Sequence, residues 1–469
     1  MPLSDSINTC WNEAGLPNKA IIGLFIWEFD NFIHSTTSIM SVNIFWFRRD
    51  LRLFDNHGLY QALKSSLPVM PLFIFDENIL SRLTPGDIRI PFIHHHITLV
   101  DDELRKYRSS LNCKYGKPVE IFKVLLETLE FENVFTNEDY EPYALERDNE
   151  IRILLAENGK GFHTFSDQLI FRPGEIMKPD GKPYEIFTPF SKKWIEKLDD
   201  EKVQSYPVER FLNNLCLADN SHIQSIEELG FNSTFNEYPV TQLPVQQISG
   251  YALTRDYPWM DATTRIGPHL RFGTLSIRRC VEAAREYSST WLNELIWREF
   301  FAHILALFPH VAKGSFRKQY DKIEWLNDED QFEKWCNGMT GYPLVDAGIR
   351  EMNATGFMHN RVRMSVASFL VKHLLIDWRW GEAWFAAHLL DFDQASNNGN
   401  WQWVAGCGCD AAPYFRIFNP TRQQERFDPE FRYIKKWVPE FGTNDYPPPI
   451  IDHDFARNRC ITAYKKAIE

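Results

Sequence analysis

The chain has 469 residues, 44% of them apolar and 24% charged, the balance of a soluble globular protein with core enough for two or three domains. A formal charge of −12 excludes a protein that is basic all over, yet leaves room for a local basic groove that binds phosphates. The eight cysteines form no CxxC pair, so reduced thiols in a cytosolic protein are expected.

Residues 1–39 read as an upstream extension outside the fold, with Met40 as the true start. The apolar run 20–27 is too short to span a bilayer, and Asp5 and Glu13 interrupt the positive region a signal peptide needs. From 41 to 172 the pattern alternates. Runs at 42–47, 69–75 and 133–136 are β-rich, and helix-like segments lie around 58–65, 94–109 and 143–157. Strands alternating with helices predict a parallel α/β sheet. His94, His95 and His96 are consecutive, so on a helix they point in different directions; a solvated or loop run is the better reading than a metal site. Residues 173–245 read as an inter-domain connector with some short helices. After 246 the period becomes helical, with apolar spacing over 291–307, 342–355, 361–373 and 380–390, so an all-helical second domain is expected over 246–469.

The densest cluster of chemistry is 391–403, where Asp391, Asp393, Asn397 and Asn398 lie among Trp401 and Trp403. Asp, Asn and Gly disfavour a long helix, so the stretch reads as a helix end or loop. Polar groups flanked by indoles suit a large planar ligand with ring N–H groups or sugar hydroxyls, and a polar surface loop is the alternative. Glu294, Trp297 and Arg298 share neighbouring helix faces at i, i+3 and i+4; taken alone they read as a surface ion pair beside a core indole. Asn360, Arg361, Arg363 and Met364 combine an amide, two cations and a thioether, or else form a solvated helix start. Thr263, Thr264 and Arg265 precede Ile266-Gly267-Pro268 and a helical run. Such a helix start suits a phosphate, and plain capping serves equally. Gly406-Cys407-Gly408 matches a dinucleotide fingerprint formally but follows no strand and is rejected; Cys407 and Cys409 are assigned no role.

Together these segments resemble the photolyase/cryptochrome flavoprotein family. The residues Phe45-Trp46-Phe47-Arg48-Arg49-Asp50-Leu51-Arg52 look like its N-terminal signature, and 291–300, 340–346, 358–364, 391–403 and 410–420 follow in the family's order. The resemblance covers 42 to about 441 and points to a class I-like cyclobutane pyrimidine dimer photolyase. It implies a Rossmann-like α/β antenna domain over 41–172, followed by an all-helical domain that binds FAD. By that match Tyr251, Thr263, Thr264, Arg265, Ile266 and Gly267 hold the diphosphate and sugar side. Trp291, Arg298, Asn360, Arg363, Asp391, Phe392 and Asp393 surround the rest, and Asn397 faces the flavin N5. Trp401, Trp378 and Trp325 form an electron-transfer chain from flavin to surface.

On the substrate side the resemblance gives Trp297 and Trp403 as aromatic faces for flipped-out bases, and Glu294 as the group that bonds or protonates the dimer anion. Met364 stands where (6-4) repair enzymes carry a histidine, which favours the cyclobutane dimer. Arg255, Arg361 and Gln423 match DNA contacts, beside Glu294, Trp297, Asn360 and Trp403 at the lesion; Arg265, Arg271, Arg278 and Arg279 add local cations. The implied partner is DNA containing pyrimidine dimers, with no membrane, for a monomer in the cytoplasm that joins the nucleoid when on DNA. An antenna chromophore is open among methenyltetrahydrofolate, a deazaflavin, FMN or none, because Tyr143-Ala144 replaces the Asn-Glu pair of enterobacterial folate binding. The alternative reading is a cryptochrome-type blue-light photoreceptor that signals through a partner. It is disfavoured because Glu294, Trp297, Met364 and Trp403 are kept.

Overall fold

Five of the six residues of Val42–Phe47 (β1) are buried, which is what a strand covered on both faces of a parallel sheet demands. In the computed structural model, which describes residues 41–469 except 219, 220, 234, 236 and 237, β1 is the centre of a five-stranded sheet. Its companions are Val69–Asp76 (β2), Asn112–Gly116 (β3), Phe131–Asn137 (β4) and Gly161–Phe165 (β5). The order is β3-β2-β1-β4-β5, all pairs parallel. The order reverses between β1 and β4, so the crevice beyond their carboxyl ends is the ligand-binding switch point of such a sheet. The expected extension 1–39 lies outside the described residues.

The two edge strands were not anticipated. β3 and β5 are five residues long, and Asn-Cys-Lys-Tyr-Gly carries no apolar run to announce a strand. The helix Pro118–Thr128 between β3 and β4 also went unpredicted. The predicted helix at 143–157 starts one residue earlier, with Pro142 in the first turn where its missing N–H costs nothing. The histidine run sits inside the helix Arg89–Arg105, and His96 is buried there rather than solvated. Burial lowers its pKa to about 4, so the ring is neutral and bonds the Phe92 carbonyl.

Within 173–245 the helix Phe187–Lys197 buries Phe187, Phe190 and Trp194 against the helix Ser289–Leu307. Glu299 on the latter locks the join: its carboxylate accepts from the backbone N–H groups of Ile170 and Phe171 and from Trp194 Nε1. Burial pushes that carboxyl up to about 7, and the three donors hold it down.

The remainder is helical, including Val245–Thr254, Pro343–Thr355, Asn360–Ser368, Trp378–His388, Pro420–Phe427 and His453–Ile468. One prediction fails plainly. Residues expected as a loop form the helix Gln394–Ala405, capped by Asp393 and ended by Gly406 in a left-handed conformation. Tertiary contacts override propensity here. Asn398 donates to the Val311 carbonyl and to Glu382, and Gly399 lets Phe301 approach so closely that a Cβ would lie 2.1 Å from its Cδ1.

Candidate active site

The helix Gln394–Ala405 is the spine of the site. Its cap, Asp393, accepts from the Ser396 N–H through Oδ1, while Oδ2 lies 3.0 Å from both Arg49 Nη2 and the Tyr140 hydroxyl. Arg271 Nη1 stands 3.6 Å away. The carboxylate expected beside the cofactor is thus engaged by protein groups, and contact with a ligand there falls to its backbone. Burial alone would raise its pKa; Arg49, Arg271 and Arg298 drive it well below the usual carboxylate range. Two residues earlier, Asp391 pairs with Arg363 at 2.9 Å, and Arg363 also donates to the Met358 carbonyl. Gly267 packs so tightly on this pair that a Cβ would sit 2.8 Å from the Asp391 side chain. Phe392 lies partly buried between them, with Arg89 and Arg271 near its ring.

The stretch before Gly267 departs from expectation. The helix Gly267–Arg271 is five residues long, and its cap Ile266 has no side-chain hydrogen bond, so Thr263 and Thr264 do not cap it. Arg265 adopts a left-handed backbone conformation (φ 50°) and pairs with Asp261, its guanidinium 4.4 Å over the Phe357 ring. Two buried donors in this neighbourhood lack partners, Arg265 Nε and His359 Nε2. Burial and then Arg361 and Arg363 lower the His359 pKa to about 4. Orphaned buried donors beside three arginines fit a diphosphate, whose oxygens accept such bonds.

Asn397 donates through Nδ2 to the Glu382 carbonyl at 3.1 Å, which leaves its Oδ1 free to face the other way. Glu382 also holds Asn398 through Oε1 at 3.0 Å, and burial raises its carboxyl to about 7. Trp291 is buried, and Arg298 donates to the carbonyls of Gln168 and Leu270, so it ties two backbone segments together. Trp401 and Trp378 are buried and Trp325 is partly exposed, all packed in one aromatic core. Trp401 lies 4.9 Å from Phe385 and 6.4 Å from Trp335, Arg379 covers Trp378 at 4.9 Å, and Trp325 meets Tyr464 edge-on at 6.0 Å. Trp401 and Trp403, at i and i+2, emerge on opposite sides of their helix.

At the rim, Glu294 pairs with Arg255 at 2.5 Å, and Arg255 lies 5.3 Å over the Tyr251 ring. Burial raises the Glu294 pKa against that pairing. Arg361 pairs with Asp256, covers Phe427 at 4.5 Å and approaches Met364 Sδ at 3.8 Å. Asn360 is exposed beside it, and Gln423 is partly exposed on the helix Pro420–Phe427. Trp297 is half spoken for, because Phe187 stacks on one face at 3.6 Å and only the other can meet a base. Arg278 is not a phosphate contact: it is buried and bonded to Asp55 and Asp167. Arg271 is likewise paired with Glu141.

Residues 43–208 match the family described as DNA photolyase, and residues 291–443 match the FAD binding domain of DNA photolyase. Deoxyribodipyrimidine photo-lyases of Halobacterium salinarum and Vibrio cholerae are each 35% identical, over 91% of this chain and 99% and 100% of theirs. The chain belongs to the DNA photolyase family. Among solved structures, a bacterial class III photolyase from Agrobacterium tumefaciens aligns with a TM-score of 0.82 at 33% identity, covering 93% of this chain and 99% of that one. An archaeal photolyase from Sulfolobus tokodaii with two FAD molecules gives 0.74 at 34% identity (90% and 99% covered), and a Synechocystis cryptochrome 0.79 at 25% (91% and 100%).

Sequence reasoning about this photolyase-family chain missed Arg49 as a partner of Asp393, along with Tyr140, Glu382 and Phe187. Arg49 lay in a recognised motif, but its partners are distant in sequence and nothing local marks them. In the switch-point crevice, where a second chromophore is the open question, Arg48 pairs with Asp148 at 2.6 Å. Arg48 and Arg147 stand 5.0 and 4.8 Å from the Trp46 ring.

Proposed function

We propose that this protein repairs cyclobutane pyrimidine dimers in DNA with blue light. The observation that carries the reading is the conjunction at one site of a cofactor cradle (Asp391–Arg363, Gly267, the orphaned Arg265 and His359 donors) and an aromatic rim (Trp297 and Trp403) beside Glu294. The photo-lyase names of its relatives support the same reaction. Bound FAD, reduced and photoexcited, supplies one electron to the dimer and recovers it after the ring opens.

The chain's own residues do the rest. Arg265 and His359 bind the diphosphate with Thr263, Thr264, Tyr251 and Ile266 around it. Trp291, Asn360, Arg363, Asp391 and Phe392 enclose the ring side, and Asn397, held by the Glu382 carbonyl, presents Oδ1 toward the flavin N5. Trp297 and Trp403 take the flipped bases on their open faces, Met364 lends a nonpolar wall, and Glu294 donates to the dimer carbonyls. Arg255, Arg361 and Gln423 grip the strand. Trp401, Trp378 and Trp325 carry electrons inward to restore the reduced cofactor. Residues 41–172 act as the antenna domain, 173–245 as connector and 246–469 as the FAD and DNA domain of a cytoplasmic monomer. Among the described residues no helix is long and apolar enough to cross a membrane.

The test is illumination of the reduced protein with an oligonucleotide carrying one dimer. Loss of the dimer under blue light, and none in the dark, is expected. Persistence of the dimer despite bound FAD overturns repair in favour of a photoreceptor.

A further inference from the structure

The C-terminal helix His453–Ile468 and the stretch that runs into Leu326 enclose a cavity of about 440 Å³ that the repair reading leaves unused. That volume suits a small molecule and is far too small for a macromolecule. Its walls are apolar, with Leu375 buried behind and Leu326 and Phe455 standing exposed. Its rim is cationic: Lys322, Arg459 and Lys466 face a single carboxylate, Glu324. Glu324 is already paired with Lys466, at 2.6 Å, so two cations stay uncompensated. Arg459 Nε is buried there with no hydrogen-bond partner, although the same guanidinium donates to the His373 carbonyl through Nη2. An apolar slot with an orphaned donor and surplus positive charge selects a small, flat organic anion.

The position says what such an anion does. Glu324 and Leu326 both line the cavity, and the residue between them is Trp325. Trp325 is partly exposed, and its ring rests on Tyr464, which shares the helix of Thr462 and Lys466. We propose that this groove seats a small planar organic anion of the ene-diolate class, which returns an electron to oxidised Trp325. The inference rests on the reading of Trp325 as the outer end of the electron chain. One electron leaves the ene-diolate, the indole radical cation becomes the neutral indole, and the donor departs as its one-electron-oxidised radical while its hydroxyl proton passes to water.

The probe is ascorbate, added to the FAD-loaded protein. Saturation-transfer NMR in the dark reads binding without any electron transfer, and a signal is expected that disappears in Thr462→Trp, where the indole fills the slot. Under light, flavin photoreduction should saturate with ascorbate. Lys322→Glu should raise the half-saturating concentration about fivefold, the effect of one exposed charge. Rates with neutral dithiothreitol should be unchanged by either substitution. Absence of a dark signal, or a signal and saturation indifferent to Thr462→Trp, overturns the groove. Trp325→Phe separates the two ideas. If it leaves photoreduction intact with both donors, the electron chain fails as read; the dark NMR signal then shows a binding site without the proposed electron role, which overturns the donor assignment as well.

Discussion

Arg49 Nη2 lies 3.0 Å from Asp393 Oδ2, joining the turn after the central strand to the cap of the helix that carries Asn397 and Trp401. The same guanidinium bonds Asp139 and Glu141 through Nη1. One side chain thereby neutralises three carboxylates from two distant stretches of chain.

Arg49→Met should therefore be among the most damaging substitutions away from the ligands. It leaves buried carboxylates uncompensated, at a cost of about 3–5 kcal/mol. Urea unfolding at neutral pH measures it, and a loss below about 1 kcal/mol would show that Arg271 suffices alone. The same network predicts acid sensitivity. Burial raises the Asp139 pKa, but Arg49, Arg48 and Arg271 bring it down to about 2. A folded pKa below the unfolded value of about 4 means its contribution is complete above pH ~4 and is lost as pH falls toward 2.

Lys372 predicts the opposite slope at high pH. It is 1% exposed, donates to the Ala405 carbonyl, which caps the end of the same helix, and sits 3.8 Å over the Tyr464 ring. Burial lowers its pKa to about 8. Since the unfolded chain keeps that proton to about pH 10.4, stability should rise between pH 8 and 10.4 by roughly 3 kcal/mol from this group. Unfolding free energies of wild type and Lys372→Met across that window check it; parallel curves would refute it.

Gly381 is where a single methyl group reaches the electron chain. A Cβ there would lie 2.1 Å from Trp401 Cη2 and 2.6 Å from Leu370 Cδ2. Gly381→Ala should cost about 1–3 kcal/mol by overpacking. It should also slow flavin photoreduction, because Trp401 is braced by Phe385 and Trp335 and cannot yield without shifting. An unchanged melting temperature together with unchanged photoreduction would mean the core relaxes freely.

Glu294→Ala should lower the repair yield roughly tenfold, the worth of a hydrogen bond to a charged group, while FAD content holds. Glu294→Gln, which still donates a hydrogen bond, should fall less. A matching loss of FAD in both would move Glu294 from the substrate side to the cofactor pocket.

The fold was legible where burial on both faces writes a continuous apolar run, as in β1 and β2, and where amphipathic period is strong, as in Ser289–Leu307. It was illegible at β3 and β5, whose strand conformation is enforced by a neighbour's hydrogen bonds. The site was legible as a set of residue types through family motifs. Their assignments were less so. Arg278 looked like a surface cation and is buried between two aspartates, and Trp297 looked open on both faces until Phe187 covered one.

By itself the sequence determined which chemistry is present: a cluster of amides, carboxylates and indoles at 391–403, arginines before it, and the alternating and helical periods that set the two architectures. Those are local properties, written in side-chain type and spacing. Only the tertiary structure decided that 391–403 is a helix and that Asp393 belongs to Arg49 and Tyr140. It also decided that Asn397 is oriented by the Glu382 carbonyl. Each of these depends on groups far apart in the chain, and desolvation makes their pairing compulsory only once they are buried together.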